Sequence, residues 1–282
     1  VNWKSFSSRL LLVIVAFPVL GVLIFLAAGL HLLPFALAVV AASVIGAIES
    51  RGLFAARGIT TTPYLAPILA GTLPLSAWLE VAGTIPSGWL RAWPAACIGI
   101  ILVRAILQKD PRRIQEFLSF TSSSVFILLY PAYFLSWVVR LIALPQPSLS
   151  ILLFLGLVFG NDMAAYLAGS LWGGSTQLNL AISPQKSAVG FIAGLVGTGI
   201  VYTLFRLVVP SLLSASLVQG IVFCLVMGLT VILGDLVESG LKRSAHVKDS
   251  GIIIPGRGGL LDSIDSMLLS APLFYGLMRL FQ

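Results

Sequence analysis

The chain has 282 residues, of which 58% are hydrophobic and only 10% charged. A water-soluble domain carries about 25% charged residues, so this chain lacks the polar surface to face water on all sides, and its composition predicts an all-α, polytopic transmembrane helix bundle. The formal charge of +7 comes without a basic run interleaved with aromatics, which excludes a nucleic-acid partner and leaves Lys- and Arg-rich cytoplasmic loops as its source.

Crossing the hydrocarbon core takes about 20 apolar residues. Nine such stretches follow one another, at roughly 10–29, 32–49, 65–83, 91–108, 121–143, 150–170, 188–210, 216–238 and 263–281. Lys4 and Arg9 precede the first, as in a signal peptide, but the apolar run is too long for one and a second span follows after a short break at Gly29–His31. It reads as the uncleaved first helix of a tight hairpin. The stretch Arg51–Tyr64 and the segment 109–120, with Arg112, Arg113 and Glu116 among Ile114, Phe117 and Leu118, read as interfacial. Pro18, Pro34, Pro74, Pro131 and Pro272 fall inside spans, where neighbouring helices tolerate kinks. Gly156 with Gly160, and Gly190, Gly194 and Gly197, have the spacing of close helix packing and leave a homodimer open. Cys97 and Cys224 sit in apolar runs, as buried small hydrophobes do. Glu80, inside the third span, receives no role.

Residues 1–120 group as N-terminal transmembrane helices with interfacial segments, and 121–282 as a C-terminal catalytic region. Nine spans put the termini on opposite sides. All but four of the 17 Lys and Arg residues (Arg91, Arg140, Arg206 and Arg279) fall on the side of the N-terminus. That side is expected to be cytoplasmic, in an inner membrane, with the C-terminus opposite.

Five of the ten acidic residues, Asp235, Glu238, Asp249, Asp262 and Asp265, lie between positions 235 and 265. Carboxylates at membrane depth face polar cavities or partners, so Asp235, in the last turn of an apolar span, and Asp162, in the sixth span, are expected to point inward. Asp262 and Asp265 stand at i,i+3 at the start of the last helix, two hard oxygen ligands on one face, which suits Mg²⁺ held with substrate phosphates; capping is the plain alternative for either. Pro255 to Gly259 form a Gly-rich turn that can offer N–H groups to phosphate, or simply turn. Lys242 and Arg243 add adjacent cations, Arg able to bind phosphate bidentately. Metal-assisted phosphoryl or nucleotidyl transfer and an ion-coupled transporter both fit to this point. Two similar halves with broken helices, the mark of many transporters, are not found.

The run Ser239, Lys242-Arg243, then Lys248-Asp249, Pro255, Gly258-Gly259, Asp262 and Asp265 resembles the signature of the phosphatidate cytidylyltransferases, or CDP-diacylglycerol synthases, at matching spacing. A looser block upstream, Asp162, Ala165-Tyr166, Gly169, Gly173, Ser183-Pro184, Lys186 and Gly190, resembles the same family. Arg257 stands where the family has His, Ser263 where it has Arg, Gln185 where it has Lys and Val189 where it often has Glu. A cation persists at 257 without titration near neutral pH, so no acid–base role is carried over. The resemblance implies CTP and phosphatidic acid as substrates drawn from cytoplasm and membrane lipid, Mg²⁺ as cofactor, and CDP-diacylglycerol and pyrophosphate as products. It implies Asp235, Asp262 and Asp265 as metal ligands. Lys242, Arg243, Lys248 and Arg257 would hold the triphosphate, with Ser239, Gly258 and Gly259 beside it. Asp162, Ser183 and Lys186 would line the other wall, and Asp249 would be a ligand or the ion-pair partner of Lys248. A CTP-dependent polyprenol kinase, or another CDP-lipid synthase, would differ in acceptor.

Overall fold

The computed structural model describes residues 18–25, 31–107, 114–254 and 258–281. Among them all regular structure is helical, with only isolated bridges between Gln177 and Ser187, Leu180 and Ser183, and Ile254 and Gly258. Residues 18–25 form α1. It is followed by α2 (Leu33–Ala56), α3 (Leu65–Val81), α4 (Trp89–Ile106), α5 (Phe117–Ala143), α6 (Pro147–Trp172), α7 (Ala188–Val208), α8 (Leu217–Ser244) and α9 (Leu261–Phe281). Seven of the described helices are long and apolar enough to cross a membrane, and the chain is an integral membrane protein; α3, with 17 residues, is just shorter.

The span expected over 32–49 runs on to Ala56, so the first part of the segment read as interfacial is helix. Charged residues do not break a helix, and here both find partners: Arg51 donates to the Pro63 carbonyl at 3.2 Å, while Glu49 is buried. Pro34 in the first turn, where its missing N–H costs nothing, starts α2. Gly58 ends it at φ +70°, with the Ile59 N–H closing back on the Phe54 carbonyl. Helix α5 contains a six-residue π-helical segment, Leu128–Tyr133, around Pro131.

Contacts divide the chain into two units. The first comprises the described residues of Val13–Arg140 and Ser244–Ser263, the second those of Leu141–Arg243 and Ile264–Gln282. In the first unit α2 to α5 enclose a core of Ala47, Leu69, Leu73, Cys97, Ile101, Ile127 and Leu128. Small residues set the distances: a Cβ on Gly46 would lie 3.1 Å from the Pro131 Cβ, and Ser43 donates to the Ala70 carbonyl at 2.9 Å. Glu80 accepts the N–H groups of Gly88 (3.0 Å) and Leu90 (2.9 Å) at the start of α4 and Nη2 of Arg140 (2.8 Å). It is a structural clamp joining α3, α4 and α5. In the second unit a Cβ on Gly197 would meet the Gly160 carbonyl at 2.7 Å, so the glycine spacing serves backbone approach of α6 and α7. An aromatic column of Phe154, Phe274, Phe223 and Tyr202, with successive ring centroids 5.2, 5.7 and 5.2 Å apart, links α6, α9, α8 and α7. Both cysteines are free thiols.

Candidate functional site

In the second unit the loop from α6 to α7 turns back on itself, Leu178 N–H donating to the Lys186 carbonyl at 2.8 Å and Ala188 N–H to the Thr176 carbonyl at 2.9 Å. Ser187 then caps α7, its hydroxyl accepting the Gly190 N–H at 3.1 Å. A Cβ on Gly173 would fall 2.7 Å from that hydroxyl, so Gly173 and Gly190 are spaced to admit the cap. The turn delivers Lys186, whose ammonium pairs with Asp235 on α8. Ser183 contributes its backbone, accepting from the Lys186 N–H at 3.2 Å.

Asp235, Glu238 and Lys242 follow on α8 at i, i+3 and i+7, one face of the helix. Glu238 is fully buried and pairs with Lys242 at 2.6 Å. Asp265 on α9 is 5% exposed, and the charges of Asp235, Asp162 and Lys242 all act on it. Ser266 donates its N–H to Asp265 Oδ1 at 2.7 Å and its hydroxyl to Asp162 Oδ1 at 3.4 Å. Gly234 makes this approach possible: a Cβ there would lie 2.7 Å from the Asp265 carbonyl oxygen and 2.9 Å from the Ser266 Cα. Asp162, Asp235 and Asp265, with Glu238 on the same face of α8 as Asp235, thus outnumber the two ammonium groups among them, Lys186 and Lys242. The donors are hard carboxylate oxygens, the set that suits Mg²⁺. Among the described residues no group of three or more His, Cys, Asp or Glu side chains is placed to hold a metal ion by itself.

In the first unit Asp262 has the helical spacing expected of it but different company. Its Oδ2 accepts the N–H of Ser250 (2.9 Å), the hydroxyl of Ser250 (2.9 Å) and the N–H of Gly259 (2.7 Å). Glu49 on α2 accepts the N–H groups of Leu260 (2.8 Å) and Leu261 (2.7 Å). Gly258, at φ +116°, exchanges N–H and carbonyl bonds with Ile254. The N–H groups from Gly258 to Leu261 thus all meet protein acceptors, rather than standing open to a phosphate. Arg243, Lys248 and Asp249 are exposed and Ser239 is half-buried; Arg257 lies outside the described residues.

Glu49, at the end of the span expected over 32–49, has no place in the sequence-derived site, because its partners Leu260 and Leu261 lie too far along the chain for local spacing to mark it. Glu238 was counted among the acidic residues but given no place in the site.

The profile of the cytidylyltransferase family matches residues 7–281. A Thermotoga maritima protein named phosphatidate cytidylyltransferase is 34% identical over 185 residues, covering 64% of this chain and 67% of that one. A Bacillus subtilis protein of the same name is 34% identical over 183 residues, covering 64% and 65%. An uncharacterised Escherichia coli K12 protein is 32% identical over 191 residues, covering 66% and 62%, so the aligned stretches span about two thirds of the relatives' own lengths. Since the profile runs through nearly all of the sequence, the chain belongs to the cytidylyltransferase family.

Proposed function

We propose that this protein condenses CTP with phosphatidic acid to give CDP-diacylglycerol and pyrophosphate, using Mg²⁺, on the cytoplasmic face of the inner membrane. The observation that carries the reading is the cluster of Asp162, Asp235 and Asp265 with Lys186 and Lys242, in a family whose curated relatives include proteins named phosphatidate cytidylyltransferase.

Both reactants are anions, so charge neutralisation and alignment matter more than a strong base. A phosphate oxygen of phosphatidic acid forms the new bond to the α-phosphorus of CTP. The bond from that phosphorus to the bridging oxygen breaks, and pyrophosphate leaves with the electron pair. Lys186 and Lys242 are held by Asp235 and Glu238 as oriented donors, ready to turn to phosphate oxygens. Asp235, Asp265 and Asp162 would offer one or two carboxylates at a time to Mg²⁺, with substrate phosphates as its other ligands, and the bound ion would neutralise the triphosphate and the leaving pyrophosphate. The three donors on Asp262 Oδ2 favour a loop-closing role for that residue over metal ligation. Arg243, Lys248 and Arg257 are assigned by the family pattern to the triphosphate.

Incubating the purified protein with labelled CTP, Mg²⁺ and phosphatidic acid tests the reading. A labelled CDP-lipid and pyrophosphate in equal amounts are expected; pyrophosphate without CDP-lipid would sink it.

A further inference from the structure

Glu49 lies on α2, 211 and 212 residues before the backbone groups that it binds, and is 6% exposed. Its Oε1 takes the Leu260 N–H and its Oε2 the Leu261 N–H, the first donors of α9, which the local leucines cannot cap. Ser250 brings its hydroxyl 3.3 Å from Glu49 Oε2 and 2.9 Å from Asp262 Oδ2, so one hydroxyl stands between the two carboxylates. Glycines clear the space: a Cβ on Gly251 would lie 2.6 Å from Oε1, and one on Gly259 2.6 Å from Oε2. Ser250 directly follows Lys248-Asp249, and Gly259 directly follows Arg257-Gly258. Ser250 and Gly259 are therefore both held, and each stands in sequence two residues after a cation that the family pattern assigns to the CTP phosphates.

We propose that Glu49 is a positioning residue for CTP binding: from α2 it holds Ser250, Leu260 and Leu261, and through Ser250 the backbone on which Lys248 stands, and it touches no reactant itself. The inference rests on the cytidylyltransferase reading for its ligand, and on the hydrogen bonds alone for its anchor. Glutamine at this position keeps one carbonyl acceptor but turns an NH₂ toward an N–H donor, whereas aspartate keeps the charge one methylene short.

The test uses the full chain in lipid nanodiscs, as wild type, Glu49→Gln and Glu49→Asp. It measures equilibrium affinity for CTP with Mg²⁺, KM for phosphatidic acid, the thermal midpoint and amide exchange at Leu260 and Leu261. Glu49→Gln is expected to weaken CTP about tenfold and to speed exchange at both amides, with KM for phosphatidic acid within about twofold. Glu49→Asp should recover part of the loss. Unchanged CTP affinity would overturn the proposal, as would a loss shared equally by CTP, phosphatidic acid and the thermal midpoint. If Glu49→Gln fails to fold, Ser250→Ala, which removes only the bridging hydroxyl, should show a smaller loss confined to CTP, and an equal loss for both substrates overturns the proposal. Wild-type protein that binds no CTP would sink the functional reading instead, and exchange at Leu260 and Leu261 would still decide whether Glu49 holds the segment.

Discussion

Asp265 shares its surroundings with Asp235, Asp162 and Lys242, and Asp235 in turn holds Lys186. On the proposed reading, removing one carboxylate there should change the charge offered to the reactants while the helices stay packed. Asp265→Asn and Asp235→Asn are expected to lower kcat at least about 100-fold, measured as CDP-lipid formation over a Mg²⁺ titration, with little change in the thermal midpoint. Glu80 marks the opposite case, because its partners Gly88, Leu90 and Arg140 are all scaffold. Glu80→Gln should cost roughly 2 kcal/mol of stability, read from thermal unfolding, with kcat of the folded protein unchanged. Asp262 stands between these extremes. Asp262→Ala removes the acceptor of three hydrogen bonds and should lower stability by about 2 kcal/mol while also raising KM for CTP.

At the scale of helices, the close approach of α8 and α9 depends on one missing side chain. Gly234→Ala drives a methyl group into the backbone at Asp265 and Ser266, which cannot swing aside as a side chain would. Activity should fall about tenfold or more with a lowered thermal midpoint, while Gly276→Ala, exposed on α9 with nothing within 4 Å, should be neutral or stabilise by about 0.5 kcal/mol. The helices were legible because a bilayer demands long apolar runs, and the family was legible because Ser239 to Asp265 keep a fixed spacing along the chain. Partners far apart in sequence were not legible. Nothing in local spacing joins Lys186 to Asp235, 49 residues on, or Glu49 to Leu260. Pro131 signalled a disturbed helix, but a proline kink and a π-helical turn leave the same trace in sequence.

For the whole molecule, the distribution of Lys and Arg sets the expected orientation. Ile252, 95% exposed, gives a labelling position in the segment between α8 and α9. An Ile252→Cys variant lacking the two native cysteines should react with a membrane-impermeant maleimide in inside-out vesicles and not in right-side-out ones; the reverse would overturn the cytoplasmic assignment. The two units are also interleaved along the chain, since residues 244–263 belong with α2 to α5 although they follow α8. A break between Ala143 and Pro147 would place Glu49 on one polypeptide and Leu260, Leu261 and Asp262 on the other. Neither piece produced alone should protect the amides of Leu260 and Leu261 from exchange, and co-expression should restore both protection and CDP-lipid synthesis. A gene split at that point would thus behave as two mutually dependent alleles, each silent without the other.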